Sequence, residues 1–287
     1  MSSPSGISVV VVAYGSAPDL HRCLSTLSGC CPVLVVDNSS DPACAEAARA
    51  TGASYFDAGR NLGFAAGVNR ALDLLAPTTD DILLLNPDAV VEPAAVARLG
   101  ACLRALGNEK VAAVAPRQHG HGGSDQQVSW PFPTPAGAWA DALGLGRSFR
   151  RGAFLIGSVL LLRGSAIVDV GRLDERFFLY AEEADWQWRA HHQGWTVEVC
   201  DEVEVFHAGG GTDVDAGVRE TLFHASAEAL LRKWYGPRGW SSARLATIVG
   251  ALVRAPLRRG EDRRRALRRA QLYLRGPMRA AAALDVR

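Results

Sequence analysis

The chain is 287 residues long, with 48% hydrophobic and 21% charged residues, an ordinary folded composition that excludes disordered, collagen-like and coiled-coil organisation. Net charge is +1, yet eleven Arg against three acids from Arg254 onward make that segment +8 and leave residues 1–253 at −7. The longest apolar runs, Ala153–Leu162 and Leu245–Val253, fall short of the roughly 20 residues a membrane-spanning helix needs. The start, Met1-Ser2-Ser3-Pro4, lacks the basic region of a signal peptide, so a cytoplasmic protein is expected. Six cysteines without CxxC or zinc-type spacing are expected to be reduced and buried.

In chain order, Ile7–Ala13 is a β-branched apolar run ending at Tyr14-Gly15-Ser16, the pattern of a strand buried on both faces. A helix over Pro18–Leu27, a strand over Pro32–Val36, a helix over Pro42–Thr51 and a strand over Ser54–Asp57 follow. A Gly-rich turn then leads into a helix over Ala65–Leu75 and a strand over Asp81–Leu85. Such alternation predicts parallel strands with helices on both faces, and ligands at the strands' carboxyl ends. Tyr14, Asp37, Asn86 and Asp88 stand at those ends. Residues His119–Arg151 break the pattern and read as a long loop with one short helix near Ala136–Leu143, and long ordered loops are usually functional. A strand over Phe154–Leu162, a helix over Ala184–Gln193, a strand over Thr196–Val199 continued by Val203–His207, and an amphipathic helix over Thr221–Trp234 complete the body. From Ala243 the chain is helical by composition and basic.

Asn86-Pro87-Asp88 directly follows the strand Ile82–Leu85, which sets a carboxylate at the mouth of the sheet, where a hard cation needs oxygen ligands. A turn that merely caps the next helix is the plain alternative. Tyr180-Ala181-Glu182-Glu183-Ala184-Asp185-Trp186 brings three acids to a helix start. Acids there suit the helix dipole; flanked by Phe177, Phe178, Tyr180 and Trp186 they also suit base catalysis through a raised pKa. His207 closes an apolar strand before Gly209-Gly210-Gly211 and reads as a structural residue or a metal ligand. Arg60–Asn69 combines backbone N–H groups, an Arg and a helix start, an anion-site pattern that helix packing explains as well.

The ordered segments SVVVVAYGS (8–16), VVDNSS (35–40), RNLGFAAGVNRAL (60–72), LLLNPDAVV (83–91), FLIGSVLLLR (154–163), GRLDERFFLYAEEADWQWRAHHQGW (171–195) and VFHAGGG (205–211) resemble family 2 glycosyltransferases. The likeness is to their bacterial rhamnosyltransferase-like branch and covers about residues 6–235. It implies a GT-A fold: α/β, Rossmann-like and doubly wound, with a mostly parallel sheet, extended here by a basic C-terminal helical segment. It also implies a nucleotide-sugar donor (dTDP- or UDP-sugar), a divalent cation (Mn2+ or Mg2+) and inverting transfer.

Carried over by position, Ala13 and Tyr14 line the nucleotide base, Asp37 hydrogen-bonds it, and Arg60, Asn69 and Asn86 lie near the donor. Asp88 and His207 become the metal ligands, Asn86 standing where the family's metal motif has its first acid. Glu183 takes the place of the base, one methylene longer than the family's usual Asp. Tyr180, Glu182, Asp185 and Trp186 are expected at the acceptor, a glycan or polyprenyl-diphosphate-linked sugar. The expected organisation is a transferase domain over 1–242 and a basic tail over 243–287. Within the domain the nucleotide half spans about 1–118 and the acceptor half about 152–242. In the tail, Arg residues interleaved with Leu252, Val253, Leu257, Leu267, Leu272, Tyr273 and Leu274 predict a surface that lies on an anionic membrane, the inner face of the plasma membrane, rather than on nucleic acid. A nucleotide-sugar-binding or nucleotidyltransferase-like protein is the alternative; the retained acids and the lack of a cationic N-terminal phosphate loop argue against it.

Overall fold

The computed structural model describes residues 6–75, 80–105, 109–146, 153–209 and 215–284. Its first part is an unbroken alternation of β1 (Ile7–Ala13), α1 (Ala17–Leu27), β2 (Val33–Asp37), α2 (Pro42–Thr51), β3 (Ser54–Asp57), α3 (Phe64–Leu75) and β4 (Asp81–Leu85). Local chemistry sets the boundaries: Asp41 caps α2 by accepting from the Ala43 N–H ahead of Pro42, and Gly52 ends that helix in the left-handed region. The chain continues through β5 (Ala89–Val90), α4 (Pro93–Arg104), β6 (Val111–His119), β7 (Asp125–Gln126), β8 (Ser129–Pro131) and α5 (Pro135–Ala142). It then forms β9 (Ala153–Leu155), β10 (Val159–Leu162), α6 (Gly164–Val170), α7 (Glu182–His192), β11 (Thr196–His207), α8 (Ala216–Arg254), α9 (Gly260–Arg275) and α10 (Pro277–Ala281).

The main sheet runs β3-β2-β1-β4-β10-β6-β11-β5, with β7 beside β6. β1 to β4 are mutually parallel and β6 pairs parallel with β11, while β10 runs antiparallel between β4 and β6. One core, with Val9, Val11 and Leu83, is covered by α1, α2 and α4. The other, with Val10, Ile82 and Leu84, is covered by α3, α6 and α7. Because alternate residues of β1 and β4 feed opposite cores, both strands are apolar throughout.

The structure departs from the sequence reading in definite places. α4, β6 and α6 are added, and β6 lies inside the sheet. Phe154–Leu162 is two strands rather than one: β9 pairs with β8 in a separate two-stranded sheet and β10 joins the main sheet. The break at Ile156-Gly157-Ser158 lets the chain change sheets there. The expected helix over Thr221–Trp234 is part of a 39-residue α8 bent at Gly236 (φ 65°, ψ −173°) before Pro237. Cys23, Cys44 and Cys200 are buried, but Cys30, Cys31 and Cys102 are only half-buried.

The basic segment is docked, not trailing. Tyr273 of α9 packs with Leu231, Trp240 and Ala243, Arg244 donates to the Tyr273 and Leu274 carbonyls, and buried Glu228 accepts from the Met278 N–H. Tyr273, expected on a membrane-facing apolar side, therefore belongs to the interior. Among the described residues no helix is long and apolar enough to cross a membrane.

Candidate active site

The carboxyl ends of β1, β2 and β4 carry the expected polar residues, and their hydrogen bonds separate their roles. Ala13 is buried and its carbonyl accepts from the Asn38 N–H, while Tyr14 is exposed. Asp37 is fully buried; one oxygen accepts from the Ser39 N–H and hydroxyl, the other from the Asp41 N–H (2.9 Å) and Tyr55 hydroxyl (2.8 Å). Four donors already meet this carboxylate, so it braces the turn that follows β2. Asn38, which the sequence reading did not single out, donates to the Gly63 carbonyl while its buried Oδ1 has no hydrogen-bond partner.

The turn into α3 is built for close approach. Gly63 sits at φ +82°, and a Cβ there would lie 2.3 Å from the Phe178 carbonyl oxygen, which accepts from the Phe64 N–H. Only glycine fits. Two of the N–H groups expected to cradle an anion are thus used internally, since the Gly63 N–H donates to Asn61 Oδ1. Arg60 is exposed beside this turn. Asn69, expected near the donor, instead clamps the chain before α7: Nδ2 donates to the Leu173 carbonyl and to Glu175, and Oδ1 accepts from the Leu173 N–H. Its hydrogen-bonding capacity is largely spent on a packing role.

Asp88 and His207 come together from β4's turn and the end of β11, with His207 Nε2 3.3 Å from Asp88 Oδ1. Antiparallel pairing of Ala89 with His207 holds them in register. Gln126 fixes the ring: its Oε1 lies 2.9 Å from His207 Nδ1 and its Nε2 donates to the His207 carbonyl. With Nδ1 facing Gln126, the Nε2 edge of the ring is turned toward the carboxylate. An imidazole nitrogen and a carboxylate oxygen 3.3 Å apart are a donor set that suits a shared cation, and the Gln126 contact is the outer support such a ligand needs. Among the described residues no three His, Cys, Asp or Glu side chains converge on one point. The pair therefore fits a cation that fills its remaining positions with water and phosphate oxygens. Gly210 and Gly211 lie outside the described residues.

Tyr180 and Ala181 both adopt left-handed backbone (φ 69° and 70°) immediately before α7, a strained entry of the kind retained at functional sites. It delivers Glu182 and Glu183 to the floor of a cleft of about 960 Å³ that also meets Asn86, Tyr180 and His207. Glu182 Oε2 and Glu183 Oε2 are buried without a hydrogen-bond partner. Burial pushes the Glu182 carboxyl well above the usual range, and the neighbouring Glu183 charge raises it further. Burial also raises Glu183, to about 7, opposed by backbone N–H bonds from Glu183 itself and Gly157. Both shifts disfavour a second charge in the floor, and a carboxylate raised toward neutrality is suited to accept a proton.

Asp185 and Trp186 are not in the cleft. Asp185 is fully buried and receives Arg189 (3.0 Å), Lys233 (2.5 Å) and the Trp234 indole N–H (3.1 Å), which locks α7 against α8. Trp186 is in the core and donates to the Gly171 carbonyl. Helical spacing separates the two tryptophans: two positions apart on α7, Trp186 and Trp188 face opposite sides, Trp186 toward the core and Trp188 toward the cleft. Trp188 stacks on Trp234 (4.3 Å, 13°) and, with Phe132 against its edge, forms the aromatic wall. Gln126 and the Phe132 segment belong to the stretch that read as loop; its Gly, Pro and Trp content was the available signal.

A family model described as glycosyl transferase family 2 matches residues 8–155. The chain is 30% identical to the N-acetylglucosaminyl-diphospho-decaprenol L-rhamnosyltransferase of Mycobacterium tuberculosis over 89% of its own length and 95% of that protein. It is 25% identical to the low-salt glycan biosynthesis hexosyltransferase Agl10 of Haloferax volcanii, over 78% of this chain and 72% of that one. In fold it resembles the glucosyl-3-phosphoglycerate synthase of M. tuberculosis in complex with Mn2+, uridine diphosphate and phosphoglyceric acid. That likeness has a TM-score of 0.55 at 15% identity, covering 79% of this chain and 78% of that one.

Proposed function

The chain belongs to glycosyl transferase family 2, and from that membership we propose that it transfers rhamnose from dTDP-rhamnose, with inversion, to a polyprenyl-diphosphate-linked acceptor of the cell envelope. The sugar and acceptor class rest on the 30% identity to a decaprenol-linked rhamnosyltransferase across nearly its whole length. The observation that carries the chemistry is Glu183: a carboxylate with a titration near 7 and one oxygen unpartnered, at the floor of an aromatic-walled cleft.

The reaction balances on this chain's own groups. Glu183 Oε2 takes the proton from the acceptor hydroxyl as its oxygen bonds to the sugar's anomeric carbon. The bond from that carbon to the donor diphosphate breaks on the opposite face, and its electron pair leaves with the nucleoside diphosphate. Burial and the adjacent Glu183 charge oppose ionisation of Glu182, which disfavours a second charge beside the base. Trp188 and Tyr180 offer faces for sugar stacking. A divalent cation, Mn2+ or Mg2+, held by Asp88 and His207 would supply Lewis-acid neutralisation of the leaving diphosphate.

Association with the inner face of the plasma membrane is part of the same reading. On α9, Arg264, Arg268 and Arg275 share the side opposite the packed Ala266, Ala270 and Tyr273. On the second half of α8, Leu245, Val249, Leu252 and Val253 are exposed in a stripe that runs beside buried Ala243, Ala246 and Gly250. A basic stripe beside an apolar one suits anionic lipid. The deciding experiment incubates the purified protein with N-acetylglucosaminyl-diphospho-decaprenol and dTDP-, UDP- or GDP-sugars, with and without Mn2+, and weighs the product by mass spectrometry. A deoxyhexose increment from dTDP-rhamnose supports the reading; transfer from another donor alone, or none, overturns it.

A further inference from the structure

The cleft is larger than its carboxylate floor needs. At about 960 Å³ it stands at the upper end of the roughly 300–1,000 Å³ that suits a drug-sized ligand. Past Glu183 it continues between α5 and α8, where Ala138, Leu231, Ala243, Thr247 and Tyr273 line it. His224 is the titratable imidazole in this arm. Burial pushes it down to about 4, and its Nδ1 lies 3.1 Å from the Tyr273 hydroxyl, so it is neutral at working pH. Apart from Asp141 at its far end, the arm is a mostly apolar passage attached to the carboxylate floor.

Its far end is apolar outside as well. Asp141 and Gly146 line the cleft, and between them Leu143 and Leu145 stand 70% and 53% exposed. α5 and α8 are held at close range: a Cβ on Gly250 would lie 2.9 Å from Ala142 Cα, and Arg254 donates to the Asp141 and Ala142 carbonyls. The Leu143 rim therefore adjoins the helix whose outer side carries Leu245, Val249, Leu252 and Val253.

We propose that the arm between α5 and α8 is the subsite for the isoprenoid chain of the acceptor, admitted from the bilayer past Leu143 and Leu145 so that the attached sugar reaches Glu183. The proposal rests on the lipid-linked acceptor of the preceding subsection. What recognises the ligand is branched hydrocarbon against the Ala, Leu, Thr and Tyr surfaces inside the Asp141 rim. The exposed rim explains how such a chain could leave a membrane without crossing water.

The test is calorimetric and needs no turnover. The full chain is titrated with dimethylallyl, geranyl and farnesyl diphosphate below their micelle concentrations. Affinity is expected to rise at least about tenfold per added isoprene unit, a conservative share of the transfer free energy of five carbons, with a negative heat-capacity change. Thr247 and Ala227, which also lines the cleft from α8, offer two sites to fill it: Thr247→Phe and Ala227→Phe should each weaken farnesyl diphosphate binding tenfold or more and leave dimethylallyl diphosphate within twofold. Two variants guard against one that fails to fold, which thermal unfolding reports. Equal affinity across the series, or a chain-length gain that survives both substitutions, overturns the subsite. If the series behaves as expected but no lipid-linked acceptor is glycosylated, the subsite stands and the transfer reading fails.

Discussion

Glu182 and Glu183 are chain neighbours, and burial raises both carboxyls, with the Glu183 charge adding to the shift at Glu182. Glu183→Gln should keep the fold and lower transfer by about 10²–10⁴-fold, measured as kcat with saturating donor, because an amide cannot take the proton. Transfer by the parent should rise as pH increases through about 7, where Glu183 loses its proton. The same shift predicts a stability effect of definite sign. A carboxyl raised in the folded state favours folding below its unfolded pKa, and that contribution is lost as pH rises through the folded value. Glu183→Gln should therefore raise Tm by several degrees at pH 8, with the gain vanishing toward pH 4.5. No gain at pH 8 would mean that Glu183 is not desolvated. At the other end of the cleft, Asp88→Ala should cost on the order of 10²-fold or more in cation-dependent transfer, and His207→Ala less, since His207 brings no negative charge. Gln126→Ala should raise the Mn2+ concentration for half-maximal activity about 10–100-fold at unchanged saturating rate. An unchanged Mn2+ requirement would remove the orienting role of Gln126.

Elements carry the next set of constraints. The turn into α3 and the segment before α7 meet at Gly63 and Phe178, so the donor-side helix and the acids are positioned by one contact. Gly63→Ala should cost about 2 kcal/mol or more from left-handed strain and the carbonyl clash. At about 2–4 °C per kcal/mol for a chain of this size, Tm should fall by at least several degrees; an unchanged Tm would mean the loop has room to move. Along α8 the first half closes the cleft and the second half shows apolar residues on both sides, a pattern that packing alone leaves unexplained. The double change Leu252→Glu and Val253→Glu should release the protein from anionic liposomes while thermal stability holds, because both side chains are exposed. Retention would exclude this stripe from lipid contact.

Across the whole molecule, the basic segment is part of the folded body. A chain ending at Arg254 would uncover Leu231, Trp240 and His224 and remove the Met278 N–H from buried Glu228, leaving it Arg232, so it should unfold at lower temperature rather than merely lose its charge. The role of the charge is better tested in the intact chain: Arg264→Gln, Arg268→Gln and Arg275→Gln together should weaken cosedimentation with anionic vesicles at low salt. About 1 kcal/mol per cation near the surface is at stake. Binding that is unaffected by the triple change would assign any membrane contact to the apolar residues alone.

Much of the architecture is local in origin and was readable from the chain. Val9 to Val12 and Ile82 to Leu85 are apolar without alternation because each strand is buried on both faces. Asp41-Pro42, the acids at 182–183 and the Asn86–Asp88 turn mark element ends by their own backbone chemistry. What the sequence alone could not determine is which side each residue faces and what it meets. β10 reads like any apolar strand; its antiparallel place between β4 and β6 depends on partners 47 to 80 residues away. Asn69 and Asp185 look like ligand contacts until residues 173–175 and Lys233 consume their hydrogen bonds, and Gln126 acquires a role only because β7 brings it to His207. Hydrophobic periodicity and caps are short-range properties written in consecutive residues, whereas a side chain's protonation and partners are set by desolvation and contacts across the fold, which exist only once the chain has closed on itself.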